Sequence, residues 1–88
     1  MKILHLTLYK KWFDLILSGK KTIEYRRDIP YWRKRLFVTY PFDCKLFDQI
    51  HFRNGYGKTR PLVKTEHCST IVDQKTKVIL IYLGDIIK

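Results

Sequence analysis

Eighty-eight residues, 45% of them apolar, make one small domain (residues 1–88) that can bury a modest core without metals or disulfides. Eighteen lysines and arginines against eight aspartates and glutamates leave a formal charge of +10. Such an excess carries self-repulsion that a polyanion relieves, which makes RNA or DNA the first partner to consider; the plain alternative is a basic, solvated and inert surface. The longest apolar run, Val78 to Leu83, is too short to cross a bilayer, and no charged-then-apolar leader opens the chain, so the reading is a soluble, cytoplasmic protein with no membrane partner.

Ile3, Leu4, Leu6 and Leu8 interleave with His5 and Thr7, which predicts a first strand with one buried face. Tyr9, Trp12, Phe13, Ile16 and Leu17 follow at the spacing of an amphipathic helix, and Gly19 sits where a left-handed cap is wanted. Trp12 on that stripe reads as core rather than as a stacking platform. From Lys20 to Arg26 the pattern turns to period two, with Ile23 and Tyr25 as the anchoring face of a second strand. On an ideal strand Lys21 shares the Ile23 face and Glu24 takes the other, so the two converge only where the backbone still turns at Lys21.

Asp28 and Pro30 suit the start of a short second helix carrying Tyr31, Trp32, Arg35 and Leu36 at i, i+4 spacing. Arg26, Arg27, Arg33, Lys34 and Arg35, with Tyr25, Tyr31 and Trp32 among them, form the densest basic and aromatic cluster of the chain, a combination that grips phosphates and stacks bases. Phe37 to Phe47 lacks a clean period and reads as a loop with aromatic anchors. A third strand spans Gln49 to Arg53, a turn follows at Asn54-Gly55-Tyr56-Gly57, and two more strands span Leu62–Val72 and Lys77–Leu83 around a polar turn. The glycine-rich turn lies beside Arg53, Lys58 and Arg60, and one wall of a basic cleft is a better reading of it than a nucleotide-cofactor loop, since no strand-to-helix setting surrounds it.

Cys44 and Cys68 are too few for a disulfide framework and have no paired ligand spacing, and His51, His67 and Cys68 are scattered strand residues, so neither a metal nor another cofactor is expected. The order β-α-β-α-β-β-β is an α+β arrangement suited to a small, partly closed barrel of about five strands with two flanking helices.

The helix bearing Trp12, the junction Gly19-Lys20-Lys21-Thr22-Ile23-Glu24-Tyr25-Arg26, the segment Phe52-Arg53-Asn54-Gly55-Tyr56-Gly57 and the closing Tyr82-Leu83-Gly84-Asp85-Ile86-Ile87 together resemble the ASCH domain family of the PUA-like superfamily. The likeness covers nearly the whole chain, and its most specific part is the glycine-lysine junction followed by a Glu-x-Arg strand. It implies a small β-barrel flanked by helices, a cleft where Gly19-Lys20-Lys21 meets the barrel mouth, and a role in RNA binding or in RNA and nucleoside metabolism. Some members hydrolyse the acetamide of N4-acetylcytidine, and others have been described as ribonucleases. The amidohydrolases carry a lysine matching Lys21, a threonine where this chain has Glu24, and a later glutamate; here the hydroxyl is absent, and Glu66 is the only glutamate downstream.

Two functions follow. In the first, an RNA-binding module, Lys20, Lys21, Arg26, Arg27, Arg33 and Arg53 contact phosphates while Tyr25, Trp32 or Tyr56 stacks on a base. In the second, a hydrolase of RNA or of a modified nucleoside, Lys21 acts as base or electrostatic stabiliser, Glu24 as general base toward water, and Arg26 or Arg53 meets developing negative charge. A third reading is a module for an acidic protein partner.

Overall fold

The computed structural model describes residues 1–56 and 59–88. The elements are β1 (Ile3–Leu8), α1 (Lys10–Leu17), β2 (Ile23–Arg27), α2 (Pro30–Leu36), β3 (Phe37–Thr39), β4 (Asp43–Cys44), β5 (Gln49–Asn54), β6 (Leu62–Asp73) and β7 (Val78–Ile86). Five of the strands form one sheet in the order β1-β5-β6-β7-β2, with β3 and β4 as a separate two-stranded ladder. β1 and β5 run parallel, and the other three pairings of the large sheet are antiparallel.

The sheet curls into a half-barrel. Its two edges, β1 and β2, come close enough for the Arg26 guanidinium on β2 to donate to the Thr7 carbonyl of β1 at 3.3 Å. Alternation fills the concave side: Leu4, Leu6 and Leu8 from β1, Ile50 and Phe52 from β5, Val63 from β6, and Ile79, Ile81 and Leu83 from β7. Phe13 and Ile16 of α1, with Leu36 and Phe37 at the end of α2, pack into the same core. This is the α+β half-barrel with two flanking helices expected from the pattern.

Four local expectations change. In β2 the buried residue is Glu24, while Tyr25 is 53% exposed and Ile23 half-buried, so Ile23 and Tyr25 do not anchor the strand. The register explains it: Glu24 lies opposite Ile81, a core residue, and opposed residues of an antiparallel pair share a face. In α1 only Phe13 and Ile16 are buried, because a helix of eight residues presents little more than one contact stripe, and Tyr9, Trp12 and Leu17 stay exposed. Asp28 does not cap α2; Ile29 occupies that position without a side-chain cap, and the Asp28 carboxylate binds Arg33 and Tyr40 instead. The stretch expected as a loop contains the β3–β4 hairpin, with Phe37 buried and Tyr40, Cys44 and Phe47 partly buried against the core.

Gly57 and Lys58, the second flexible position of the expected turn and a cation beside it, lie outside the described residues. Among the described residues no helix is long and apolar enough to cross a membrane.

Candidate functional site

The site begins with how α1 ends. Gly19 takes φ +81°, a region that costs a side-chain-bearing residue about 1–2 kcal/mol. Its N–H donates to the Ile16 carbonyl, and the N–H of Lys20 reaches back to Leu15, each at 3.0 Å, the paired bonds of a Schellman motif. The Lys21 N–H also donates to Leu15, so the backbone is still turning there, and β2 proper begins only at Ile23. This meets the geometric condition for convergence: Lys21 Nζ stands 3.4 Å from Glu24 Oε1.

Glu24 is the hub. Its side chain is 6% exposed, and its Oε1 accepts the Tyr25 N–H at 3.1 Å beside Lys21, while Oε2 accepts Arg26 Nη2 at 2.8 Å. Arg26 Nη2 also donates to the Thr7 carbonyl, and its guanidinium lies over the Trp32 ring with 4.9 Å to the centroid. Arg26 Nε is buried with no hydrogen-bond partner among the described residues. One carboxylate therefore holds two cations, leaving a local charge of +1, and bridges the strand edges at the barrel mouth. Burying such a group is tolerable because every charge has an opposite neighbour and directed hydrogen bonds.

Above this cluster opens a cavity of about 610 Å³ lined by Thr7, Leu8, Tyr9, Trp12, Lys21, Glu24, Tyr25, Arg26, Gly55 and Tyr56. The Lys21 ammonium lies over two of the lining rings, 5.2 Å from the Trp12 centroid and 4.7 Å from that of Tyr25. Aromatic walls with a few convergent charged groups are the usual make-up of a site for a flat, polar ligand. Gly55 carries the β5 end to the cavity: its φ is +88° and its N–H donates to the Leu8 carbonyl, which sets the exposed Tyr56 at the rim.

The sequence-derived candidates divide accordingly. Lys21, Glu24, Tyr25, Arg26 and Tyr56 share the cleft. Trp32 is outside it, partly buried against the core with Arg26 over its ring. Arg33 is committed to Asp28, its Nε 2.7 Å from the carboxylate, and Arg53 donates to the Arg60 carbonyl at 3.1 Å. Lys20 and Arg27 are exposed and belong to no ion pair among the described residues. Trp12, read as core, is instead a cleft wall, and Tyr9 and Thr7 line it too. The signal available was the shortness of α1, which cannot bury five stripe residues.

Glu66 is on β6, its carboxylate accepting the Asp85 N–H at 3.3 Å, and it is not among the cleft residues. Two histidines sit elsewhere. His67 Nδ1 accepts the Phe47 N–H, so its Nε2 carries the proton and donates to Thr70 Oγ1 at 2.8 Å; burial holds this imidazole below its ordinary value. Burial, with Lys64 adding to it, does the same for His51. Among the described residues no three His, Cys, Asp or Glu side chains are grouped to hold a metal ion.

Against known families, the ASCH domain model matches residues 6–87. That span contains the Schellman turn, Lys21, Glu24, Arg26 and the closing strand. No curated protein matches the chain.

Proposed function

The chain belongs to the ASCH domain family, and from that membership together with the form of the cleft we propose that it binds RNA, seating one unpaired base in the cavity. The observation that carries this reading is the pair of cations, Lys21 and Arg26, held by a buried Glu24 at the floor of an aromatic-walled cavity. Trp12, Tyr25 and Tyr56 offer π-faces for stacking, worth about 1–3 kcal/mol per base. Lys21 has two donors left after Glu24, and Arg26 Nη1 has no hydrogen-bond partner among the described residues, so both are able to meet a base carbonyl or a phosphate oxygen. Lys20, Arg27, Arg33 and Arg53 add phosphate contacts around the rim, and Trp32 supports Arg26 from below. Arg33 contributes least, because Asp28 already takes its Nε.

Glu24 in this reading positions the two cations and touches no phosphate. Its lone pairs are largely taken by Tyr25, Lys21 and Arg26, which leaves little capacity to draw a proton from water.

The second reading, hydrolysis of RNA or of a modified nucleoside such as N4-acetylcytidine, is favoured by one observation, the 3.4 Å Lys21–Glu24 contact inside a cavity roomy enough to admit a nucleoside. The chain lacks the hydroxyl at position 24, and the one later glutamate is not a cleft residue.

A single set of proteins tests both. Wild type, Lys21→Ala and Glu24→Ala are titrated with a fluorescent single-stranded RNA at two salt concentrations and incubated with N4-acetylcytidine. The expected result is salt-sensitive binding weakened about tenfold by Lys21→Ala, with no turnover. Binding that ignores both salt and Lys21 would overturn the RNA reading; turnover lost in both variants would establish the hydrolase.

A further inference from the structure

The cleft does not end at Arg26. On the far side of that guanidinium is the Trp32 ring, and Arg35 lies over the same ring at 5.8 Å and over the Tyr31 ring at 5.6 Å. Tyr31 meets Trp32 edge to face, their centroids 4.9 Å apart. Glu24, Arg26, Trp32, Arg35 and Tyr31 therefore form one unbroken relay of alternating guanidinium and ring from the cleft floor to the exposed side of α2. The spacing of α2 produces it, since Tyr31 and Arg35 are one turn apart and share a face.

The outer end of the relay is open and uncompensated. Tyr31 is 59% exposed, and Lys34 and Arg35 are exposed and belong to no ion pair among the described residues. Three consecutive cations close α2. Of these, among the described residues, Arg33 alone is paired with a carboxylate, Asp28. The two ring contacts place the Arg35 guanidinium over the exposed face of α2, beside Tyr31.

We propose that α2 is a track for the nucleotides flanking the base held in the cleft: a single strand of RNA runs from Arg26 across α2, its phosphates meeting Arg35 and Lys34 and its next exposed base stacking on Tyr31. The inference rests on the RNA reading of the cleft and extends it from one nucleotide to a short oligonucleotide with a fixed direction of exit. Charge complementarity selects this occupant, since the face combines unpaired cations with a ring already oriented by a guanidinium, the pairing that grips single strands without regard to sequence.

The test uses two probes, a nucleoside 5′-monophosphate and a fluorescent RNA hexanucleotide, with wild type, Tyr31→Ala, Tyr31→Phe and Lys34→Ala/Arg35→Ala, each checked for folding by circular dichroism. Wild type is expected to bind the hexanucleotide more tightly than the monophosphate. The double variant should lose roughly tenfold on the hexanucleotide alone and flatten its log-affinity against log-salt line by about 1.4, at about 0.7 per phosphate. Tyr31→Ala should weaken the hexanucleotide while Tyr31→Phe does not. Equal wild-type affinity for both probes, or a hexanucleotide affinity untouched by the double variant, overturns the track and leaves the cleft reading standing. A monophosphate that fails to bind while the hexanucleotide depends on α2 removes the one-base cleft and keeps the track; a protein that binds neither probe loses both.

Discussion

Two buried carboxylates four residues apart do opposite work. Asp28, its side chain 2% exposed, is bound by Arg33 Nε at 2.7 Å and by the Tyr40 hydroxyl, and Arg33 lies over the Tyr40 ring at 4.6 Å. Glu24, 6% exposed, is bound by Arg26 and Lys21, and Arg26 lies over a tryptophan. Both clusters thus hold an acid by an arginine stacked on a ring. The difference is where the remaining donors point. At Asp28 the partners knit β2, α2 and the β3–β4 hairpin together, and the Asp28 N–H adds a bond to the Lys77 carbonyl in the turn before β7. At Glu24 the cations line an open cavity. One motif is enclosed by the architecture at Asp28 and faces solvent at Glu24, where the proposed function would use it.

The sharpest way to separate the two is to remove one acid's support at a time. Asp28→Ala leaves Tyr40 and Arg33 without their acceptor and should lower stability by about 2–3 kcal/mol, read from urea unfolding, while the folded protein keeps its RNA affinity. Lys21→Ala should do the reverse: Glu24 retains Arg26 and the Tyr25 N–H, so no buried charge is left unpaired and stability falls by less than in Asp28→Ala, while RNA affinity falls about tenfold. If both substitutions moved both quantities together, the distinction between a structural and a recognition cluster would be wrong.

Acid separates them in another way. Burial raises the Asp28 carboxyl, but the hydrogen bonds from Tyr40 and Arg33 and the charges of Arg33 and Lys77 outweigh it and hold the group below its ordinary 3.8. The unfolded chain then takes up the proton first as pH falls. The contribution is therefore complete above about pH 4 and is lost as pH drops through the folded value, and Asp28→Asn should remove that acid limb. His67 acts in a higher window. Its imidazole is held below the ordinary 6.5 by burial, and its Nδ1 is occupied by the Phe47 N–H, so the unfolded chain binds a proton that the folded chain refuses. Stability should decline as pH falls below about 6.5, and His67→Gln should flatten the decline in urea midpoints measured between pH 7.5 and 5.5.

The sequence pattern located β1 and β5 to β7 because their alternation is carried by buried residues, and α1 because its stripe has the helical spacing even though only Phe13 and Ile16 of it are buried. It misassigned the faces of β2 because Ile23 and Tyr25 outweigh one glutamate in any local count of hydrophobicity. What buries Glu24 is not local: it needs the register with Ile81, the Schellman turn that aims Lys21, and the approach of β1 that lets Arg26 reach Thr7. Trp12 was misread for a related reason, since the stripe fits a helix but not how few of its residues a two-turn helix can cover. β3 and β4, of three and two residues, are too short to show a period at all. Lys21, Glu24, Tyr25, Arg26 and Tyr56, which line the cleft, were among the candidates the sequence offered because the junction and the glycine turn mark where the backbone must bend, and bends bring distant charges together; Lys20, Arg27, Arg33, Arg53 and Trp32, offered with them, do not line it.

The smallest expected effect tests the role of burial itself. Lys10 and Asp14 form a lysine–carboxylate pair within one helix at 2.6 Å, shorter than the 3.4 Å between Lys21 and Glu24. Distance alone would rank it the stronger. Its side chains, however, are 78% and 48% exposed against 12% and 6% for the cleft pair, so water screens the attraction and both groups are as well solvated apart as together. Lys10→Ala should therefore change stability by no more than a few tenths of a kcal/mol, and raising the salt should erase even that. Glu24→Ala leaves two cations facing each other in a partly dry recess, and its destabilisation should persist at high salt. Equal salt sensitivity in the two variants would mean that the cleft floor is as wet as the helix surface, and that Glu24 holds its cations no more firmly than Asp14 holds Lys10.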